Sequence, residues 1–292
     1  MLSNIQIAAG SIPGRDHLGR GEVLLGRNNQ DAFFVERTEQ VIAAVVTDGC
    51  GSAPHSEVGA RLGARLLAKT LVQSYRRAPG VELSDALVSE AFVERLRTEI
   101  LRKLRLFALQ LACDAAEFAN VIRDYLLFTS VAVLVTPRHT LVFSLGDGVV
   151  AINGAVTALG PFPENRPPYL AYGLVSSSFA QTPELLRFQI HTVLPTSELN
   201  SLLIGTDGAA DLVNLEGRKV PGKDEFLGSL GEFWENESYF RNPDGLRRRL
   251  SVLNREVRRF NPDTGVPESE SGLLRDDTTL AVLRTATPTE RG

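Results

Sequence analysis

Three apolar segments end in the same dipeptide, Asp-Gly, and this recurrence constrains the fold more than any other feature of the sequence. The segments are VIAAVVTDG, LVFSLGDG and SLLIGTDG, and their acidic residues are Asp48, Asp147 and Asp207. Asp31 stands just before the apolar run AFFVE, and the pair Asp276-Asp277 stands just before TTLAVL. Short apolar runs bounded by Gly and Asp are typical of buried β-strands. The pattern predicts strands that each carry a carboxylate at one end.

These carboxylates predict a divalent metal site. A single Asp-Gly pair is also a common turn, so any one site alone favours an ordinary strand end. Five such sites favour convergence, because sheet packing gathers strand ends at a shared rim. Carboxylates gathered there repel each other by roughly 4 kcal/mol per pair at 4 Å and an effective dielectric near 20. Cations neutralise such a cluster, and ligand sets made only of oxygen select hard ions such as Mg²⁺ or Mn²⁺.

The order of the segments predicts an α+β fold with antiparallel sheets. Helices are expected to begin at Ser56, after a cap at Ser84, and at Asp114, which forms a capping box with Glu117. Strands return after these helices, and one of them is expected to begin at Leu185. Residues 160–184 are rich in Pro and Ser and predict a long loop, a candidate flap over an active site. Residues 213–272 mix helix with loops as a variable insertion, and no linker divides the chain, so one domain over 1–292 is expected.

Composition excludes several classes of protein. The 31 basic and 35 acidic residues give a net charge of −4, which argues against nucleic acid or an anionic membrane as the main partner. No apolar stretch is long enough for a membrane span or a signal peptide, and Cys50 and Cys113 are too few for a disulfide framework. A reducing cytoplasm is therefore the expected compartment. The sequence has no convincing Ser-His-Asp or Cys-Arg signature.

An ordered set of motifs resembles the PPM/PP2C family of metal-dependent protein phosphatases, and its bacterial branch with DGCGS-type second motifs in particular. The motifs are GRNNQDAF, TDGCGS, FTSVAV, SLGDG, GTDGAADL and DDTTLAVL, and they cover about residues 5–285. The resemblance implies a central β-sandwich of two antiparallel sheets flanked by helix pairs, with a metal centre at one end. It also implies that water activated between two Mg²⁺ or Mn²⁺ ions hydrolyses phosphoserine or phosphothreonine in a protein substrate.

The resemblance assigns metal ligands by motif. Asp48 would bridge two ions, and Gly49 would offer its carbonyl oxygen. Asp207 and Asp276 would be further ligands. Asp276 is preferred to Asp277 because the family pattern is Asp, then Asp or Asn, then any residue, then Thr.

Other residues are implied around the ions. Asp31 would hold metal-bound water, and Asp147 resembles an Asp that helps to bind a third ion. The planar fork of an arginine matches the nonbridging oxygens of a phosphate, and Arg27 and Arg15 are the two candidates. A Gly-x-x-His element often precedes the QDA motif in this branch, which would bring His17 near the substrate. A solvated loop charge is the alternative for Arg15, Arg27 and His17.

Three departures from the family pattern leave alternatives open. Gln30 stands where many relatives have Glu. Cys50 stands where many have a His proposed as general acid, so either protonation of the leaving group passes to His55, His17 or solvent, or Cys50 only fills a tight turn. The pair Gly148-Val149 replaces a frequent Ser-Arg, so two ions and three ions both remain open.

Two other functions are compatible with the same motifs. One is a noncatalytic protein that keeps the fold and binds phosphoproteins. The other is a metal-dependent hydrolase of a small phosphorylated metabolite. Relatives are often encoded beside a kinase and a von Willebrand A-type protein, so the resemblance implies a Ser/Thr kinase and such a protein as partners.

Overall fold

Two five-stranded antiparallel sheets form the centre of this computed structural model, which describes residues 2–18, 28–176, 179, 182–260 and 265–286. The strands are β1 (Ile5–Ile12), β2 (Asp31–Arg37), β3 (Ile42–Gly49), β4 (Phe128–Val135), β5 (His139–Leu145), β6 (Gly148–Ile152), β7 (Ala155–Leu159), β8 (Gln189–Pro195), β9 (Ser201–Gly205), β10 (Val257–Phe260), β11 (Pro267–Glu270) and β12 (Thr278–Thr285). One sheet has the order β1–β12–β9–β6–β7, and the other has the order β2–β3–β4–β5–β8. Strands β10 and β11 form a separate hairpin.

The two sheets face each other across an apolar layer. Strand β3 contributes Ile42, Ala44 and Val46 to this layer, and β9 contributes Leu202 and Ile204, all fully buried. Successive side chains of a strand point to opposite faces, so the remaining residues of β3 point away from this layer and towards helices. A strand buried on both faces explains why the segment before Asp48 is uniformly apolar rather than alternating.

Helices cover the outer face of each sheet. They are α1 (Ser56–Arg77), α2 (Ala86–Leu111), α3 (Ala115–Tyr125), α4 (Asp207–Asn214), α5 (Glu232–Glu235), α6 (Ser238–Arg241) and α7 (Gly245–Leu253). Helices α1 to α3 pack on the β2–β8 sheet, and α4 to α7 pack on the other. The predicted fold class, α+β with a central sandwich of two antiparallel sheets and flanking helices, is confirmed. No described helix combines the length and the apolar character needed to cross a bilayer.

Local chemistry sets the helix starts, with one difference from the prediction. Asp114 caps α3 as expected, and its Oδ1 accepts hydrogen bonds from the backbone N–H groups of Ala116 and Glu117, both at 2.8 Å. The cap of α2 is Asp85 and not Ser84. A carboxylate accepts the exposed N–H groups of a first turn more strongly than a hydroxyl does, which favours Asp85.

The segment before β8 contains more regular structure than a plain loop. A 3-10 turn spans Leu170–Leu174, and its first two residues are fully buried against the α1–α3 side of the sandwich. Strand β8 begins at Gln189 and not at the predicted Leu185. The reason is local, because Pro183 opens a 3-10 turn that continues to Leu186.

Candidate metal centre

Asp31 and Asp48 form the base of the acidic cluster. They are directly opposite residues on β2 and β3, so their Cα atoms lie about 4.5–5.5 Å apart and their side chains share a face. Burial raises the pKa of both carboxyl groups. The charge of Asp31 raises the pKa of Asp48 further, and Asp207 contributes to both. Two carboxylates this close in a buried site require a proton or a cation between them.

Asp207 joins this pair from the other sheet. Strand β9 ends at Gly205, and Asp207 is the first residue of α4. Between them, the Thr206 hydroxyl donates to Asp31 Oδ2 at 2.7 Å, which links the two sheets. Burial raises the pKa of Asp207 to about 7, helped by the charges of Asp276 and Asp147. The predicted strand-end carboxylate is thus the first residue of a helix, still directed at the same rim.

Asp147 lies in the tight turn between β5 and β6. Gly146 and Gly148 on either side have φ values of 93° and 141°, which L-residues rarely adopt. Burial raises the pKa of Asp147, and the charge of Asp276 adds to the effect. The turn therefore delivers a fourth carboxylate to the cluster.

Asp276 and Asp277 have different environments. The Asp276 side chain is 55% exposed, whereas that of Asp277 is 2% exposed. Asp277 accepts hydrogen bonds from the backbone N–H of Gly14 at 2.7 Å and of Gln30 at 2.5 Å. It therefore ties the segments before β2 to the start of β12. The charge of Asp276 acts on the buried carboxylates, raising the pKa of Asp48, Asp147 and Asp207.

The predicted basic residues have separate places. His17 Nδ1 lies 2.8 Å from Asp277 Oδ1, and Nε2 lies 3.9 Å from Asp276 Oδ1. These three residues each offer a ligand atom, and those atoms all lie within 4.8 Å of one another. Arg15 donates to the Gly272 carbonyl at 2.7 Å. Arg27 lies outside the described residues.

Two of the departures from the family pattern lie near each other, Gln30 just before β2 and Cys50 just after β3. Gln30 Nε2 donates to Ser56 Oγ at 2.6 Å, so this amide braces the start of α1. A Cβ on Gly49 would lie 2.8 Å from the Ser56 carbonyl oxygen, which explains glycine there. Cys50 is buried, and its Sγ lies 3.2 Å from Ser52 Oγ.

Tyr169, which the sequence pattern did not single out, lies beside the loop after β3. It lies beside Cys50, and burial is the main reason that the pKa of Tyr169 is raised. The charge of Asp48 also raises this pKa, so Tyr169 lies beside the acidic cluster. Tyr169 packs edge-to-face on Tyr172, whose ring stacks on Phe179 with 5.2 Å between centroids. No local signal marks Tyr169, because its role depends on where residues 160–184 return to the sandwich.

Two buried carboxylates of the cluster have an oxygen available to a hard divalent cation, and among the described residues the ligand atoms that all lie within 4.8 Å of one another belong to His17, Asp276 and Asp277. Asp31 Oδ1 and Asp147 Oδ1 are buried and have no hydrogen-bond partner among the described residues. Buried polar atoms are almost always satisfied, so such oxygens are candidates for metal coordination. Oxygen ligands suit Mg²⁺ or Mn²⁺, while the single imidazole of His17 is already held by Asp277. The protein is therefore a sandwich of two antiparallel sheets with a candidate metal centre at one rim.

A sequence comparison identifies the family. The family model described as "Protein phosphatase 2C" matches residues 14–251, most of the chain. The chain belongs to the protein phosphatase 2C family, and the resemblance carried by its motifs is confirmed. A search of curated protein sequences finds no significant match.

Solved structures share the fold across nearly the whole chain. A bacterial serine phosphatase is 14% identical with a TM-score of 0.55, over 98% of this chain and 99% of that one. The serine/threonine phosphatase Stp1 from Staphylococcus aureus is 14% identical with a TM-score of 0.53, over 97% and 96%. The S. agalactiae serine/threonine phosphatase is 14% identical with a TM-score of 0.51, over 96% and 99%. Identities this low establish the common architecture only.

Proposed function

We propose that this protein is a metal-dependent phosphatase that hydrolyses phosphoserine or phosphothreonine in proteins. The observation that carries the proposal is the convergence of buried carboxylates from both sheets, two of which have an unpartnered oxygen. Membership of the protein phosphatase 2C family supports the same activity. Opposition to a Ser/Thr kinase, partnership with a von Willebrand A-type protein and a cytoplasmic location are parts of this proposal that rest on the resemblance alone.

The residues of the cluster divide into ligands and supports. Asp48, Asp207 and Asp276 would hold two Mg²⁺ or Mn²⁺ ions together with the Gly49 carbonyl oxygen, and Asp147 would serve a third. When bound, the ions would stabilise charge on the phosphoryl oxygens and lower the pKa of the attacking water.

Asp31 would orient that water. Its Oδ2 is fixed by Thr206, and its Oδ1 has no partner among the described residues, so it remains available as an acceptor. Asp277 holds His17 through Nδ1, and the imidazole would exchange a proton with a leaving serine or threonine oxygen. The thiol of Cys50 already lies 3.2 Å from Ser52 Oγ, which favours His17 over Cys50 for that role.

Activity on phosphopeptides tests the proposal. Protein with millimolar Mn²⁺ should hydrolyse p-nitrophenyl phosphate and a phosphothreonine peptide, and EDTA should stop both reactions. Asp48→Asn should lower kcat/KM by at least ~100-fold, since losing even a supporting residue of a metal site costs 10–100-fold. Asp224→Asn is the matched control, because the Asp224 side chain is 100% exposed.

The substrate panel separates the alternatives. Full turnover by Asp48→Asn would refute the proposed mechanism. Metal binding with no turnover of any phosphopeptide would favour the noncatalytic phosphoprotein-binding protein. Turnover restricted to nucleotides or sugar phosphates would favour a small-molecule hydrolase.

A further inference from the structure

A cavity of about 530 Å³ lies beside the acidic centre and is lined by three arginines. Arg15 comes from the segment after β1, Arg218 from the loop after α4, and Arg275 from the residue directly before Asp276. Asn214 and Ser271 add neutral polar groups to the wall. These lining residues are distant in sequence, so only the folded chain brings them together.

The cavity is positively charged within a protein of net charge −4. The only carboxylate among its lining residues is Asp211, and Arg15 pairs with Asp16 outside the lining at 3.5 Å, so Arg218 and Arg275 supply the excess positive charge. Arg218 and Arg275 are exposed, and neither forms an ion pair or a side-chain hydrogen bond with any other described residue. Arginine donors without partners in a concave site are suited to carboxylate and phosphate oxygens.

The position of the cavity relates it to the reacting phosphate. Asp211 lies one helical turn after Asp207 on α4, and residues so spaced have Cβ atoms about 5–6 Å apart. Arg275, which also lines the cavity, adjoins Asp276 in sequence. The cavity therefore begins about one turn of helix from the proposed metal ligands. An extended peptide advances about 3.3 Å per residue, so two or three residues span that interval.

We propose that this arginine pocket binds a second anionic group of the substrate, a carboxylate or a phosphoryl group two or three residues from the phosphorylated residue. The inference rests on the proposed phosphatase function and adds a substrate class to it. Arg218 and Arg275 supply charge-assisted hydrogen bonds to that group, and Arg15 is held in place by its bond to the Gly272 carbonyl. They select sequence context and do not touch the reacting atoms.

Matched peptides test the pocket. One phosphothreonine peptide is made with Gln, Glu or phosphoserine at the positions two and three residues before and after the phosphothreonine. The measurement is kcat/KM for the first dephosphorylation of the phosphothreonine. The wild-type protein should prefer the peptides with a second anion by about 5–10-fold in low salt, and the preference should fall as ionic strength rises. Comparison of the Glu and phosphoserine peptides shows which anion the pocket prefers.

The arginine variants are compared by the ratio of kcat/KM for the anionic peptides to kcat/KM for the neutral peptide. A change in overall activity does not affect this ratio. Arg218→Gln and Arg275→Gln should each reduce the preference to about twofold or less. Arg76→Gln is the control, because Arg76 is exposed and lies about 30 Å along α1 from Ser56, at 1.5 Å per residue. It should leave the preference unchanged.

The outcomes distinguish this inference from the proposed function. Equal kcat/KM for neutral and anionic peptides, or a preference that survives in both arginine variants, overturns the pocket while hydrolysis of p-nitrophenyl phosphate still supports the phosphatase. If no substrate is hydrolysed, the phosphatase proposal fails. Fluorescence anisotropy of the same labelled peptides then decides the pocket, which requires tighter binding of the anionic peptides and its loss in Arg218→Gln.

Discussion

Replacing Asp207 with asparagine is expected to stabilise the metal-free protein and to abolish its stabilisation by Mn²⁺. Burial and the charges of Asp276 and Asp147 raise the pKa of Asp207 from 3.8 to about 7. Ionisation of this carboxyl in the folded state is therefore unfavourable by about three pKa units, or ~4 kcal/mol at 1.36 kcal/mol per unit. Asparagine removes the charge and keeps an oxygen that accepts the Gly208 N–H, which lies 2.7 Å from Asp207 Oδ1.

The expected gain is smaller than the full ionisation cost, because neighbouring carboxyl groups share protons once one charge is removed. In EDTA at pH 8 we expect the free energy of unfolding of Asp207→Asn to be about 2 kcal/mol higher than that of the wild type. For a chain of 292 residues, at about 2.1 cal/mol/K of unfolding entropy per residue, that corresponds to a rise in Tm of about 3 °C. Wild-type protein at an Mn²⁺ concentration 100 times its Kd should gain about 2.7 kcal/mol, and the variant should gain far less.

Thermal unfolding followed by circular dichroism measures both effects, in EDTA and in Mn²⁺. Asp224→Asn, a change at a fully exposed carboxylate, should alter Tm little in either buffer. A ligand is stabilising only with its metal, whereas a structural carboxylate is stabilising in both buffers. If Asp207→Asn lowered Tm equally with EDTA and with Mn²⁺, the interpretation of Asp207 as a metal ligand would be refuted.

Three further predictions follow from the same geometry. Because the pKa of Asp207 is raised, its contribution to metal-free stability is fully present below pH 3.8 and is lost as pH rises through about 7, so Tm in EDTA should be higher at pH 5 than at pH 8. Saturating Mn²⁺ should reverse that order, since ligands must lose their protons to bind metal; melts at both pH values in both buffers decide it. Gly208→Ala should cost about 2–3 kcal/mol in urea unfolding, because its Cβ would overlap the Asp277 carbonyl oxygen, whereas Gly51→Ala, with no described atom within 4 Å of its Cβ, is the control. Tyr169 lies beside the acidic cluster, where a peptide around the phosphorylated residue would contact its hydroxyl, so Tyr169→Phe should lower kcat/KM for phosphopeptides more than for p-nitrophenyl phosphate; equal changes on both substrates would contradict that contact.

Local chemistry accounts for the parts of the fold that the sequence predicted. The cap at Asp114 follows from its spacing to Glu117, and the uniformly apolar run of β3 follows from burial on both faces. Such signals depend only on residues close in sequence, so they can be recognised without the rest of the chain. Ser84 and Asp85 are both possible caps of α2, and the prediction of Ser84 is wrong.

The sequence by itself determined the acidic residues at the strand ends and, through them, predicted a hard-cation site. Only the tertiary structure decided that Asp277 is buried as a hydrogen-bond acceptor while Asp276 is exposed, that Tyr169 lies beside Cys50, and that Arg15 lines a pocket with arginines from distant segments. The physical reason is that strand identity depends on neighbouring residues, whereas the direction of a side chain at a rim depends on sheet register and on the segments that return to that rim.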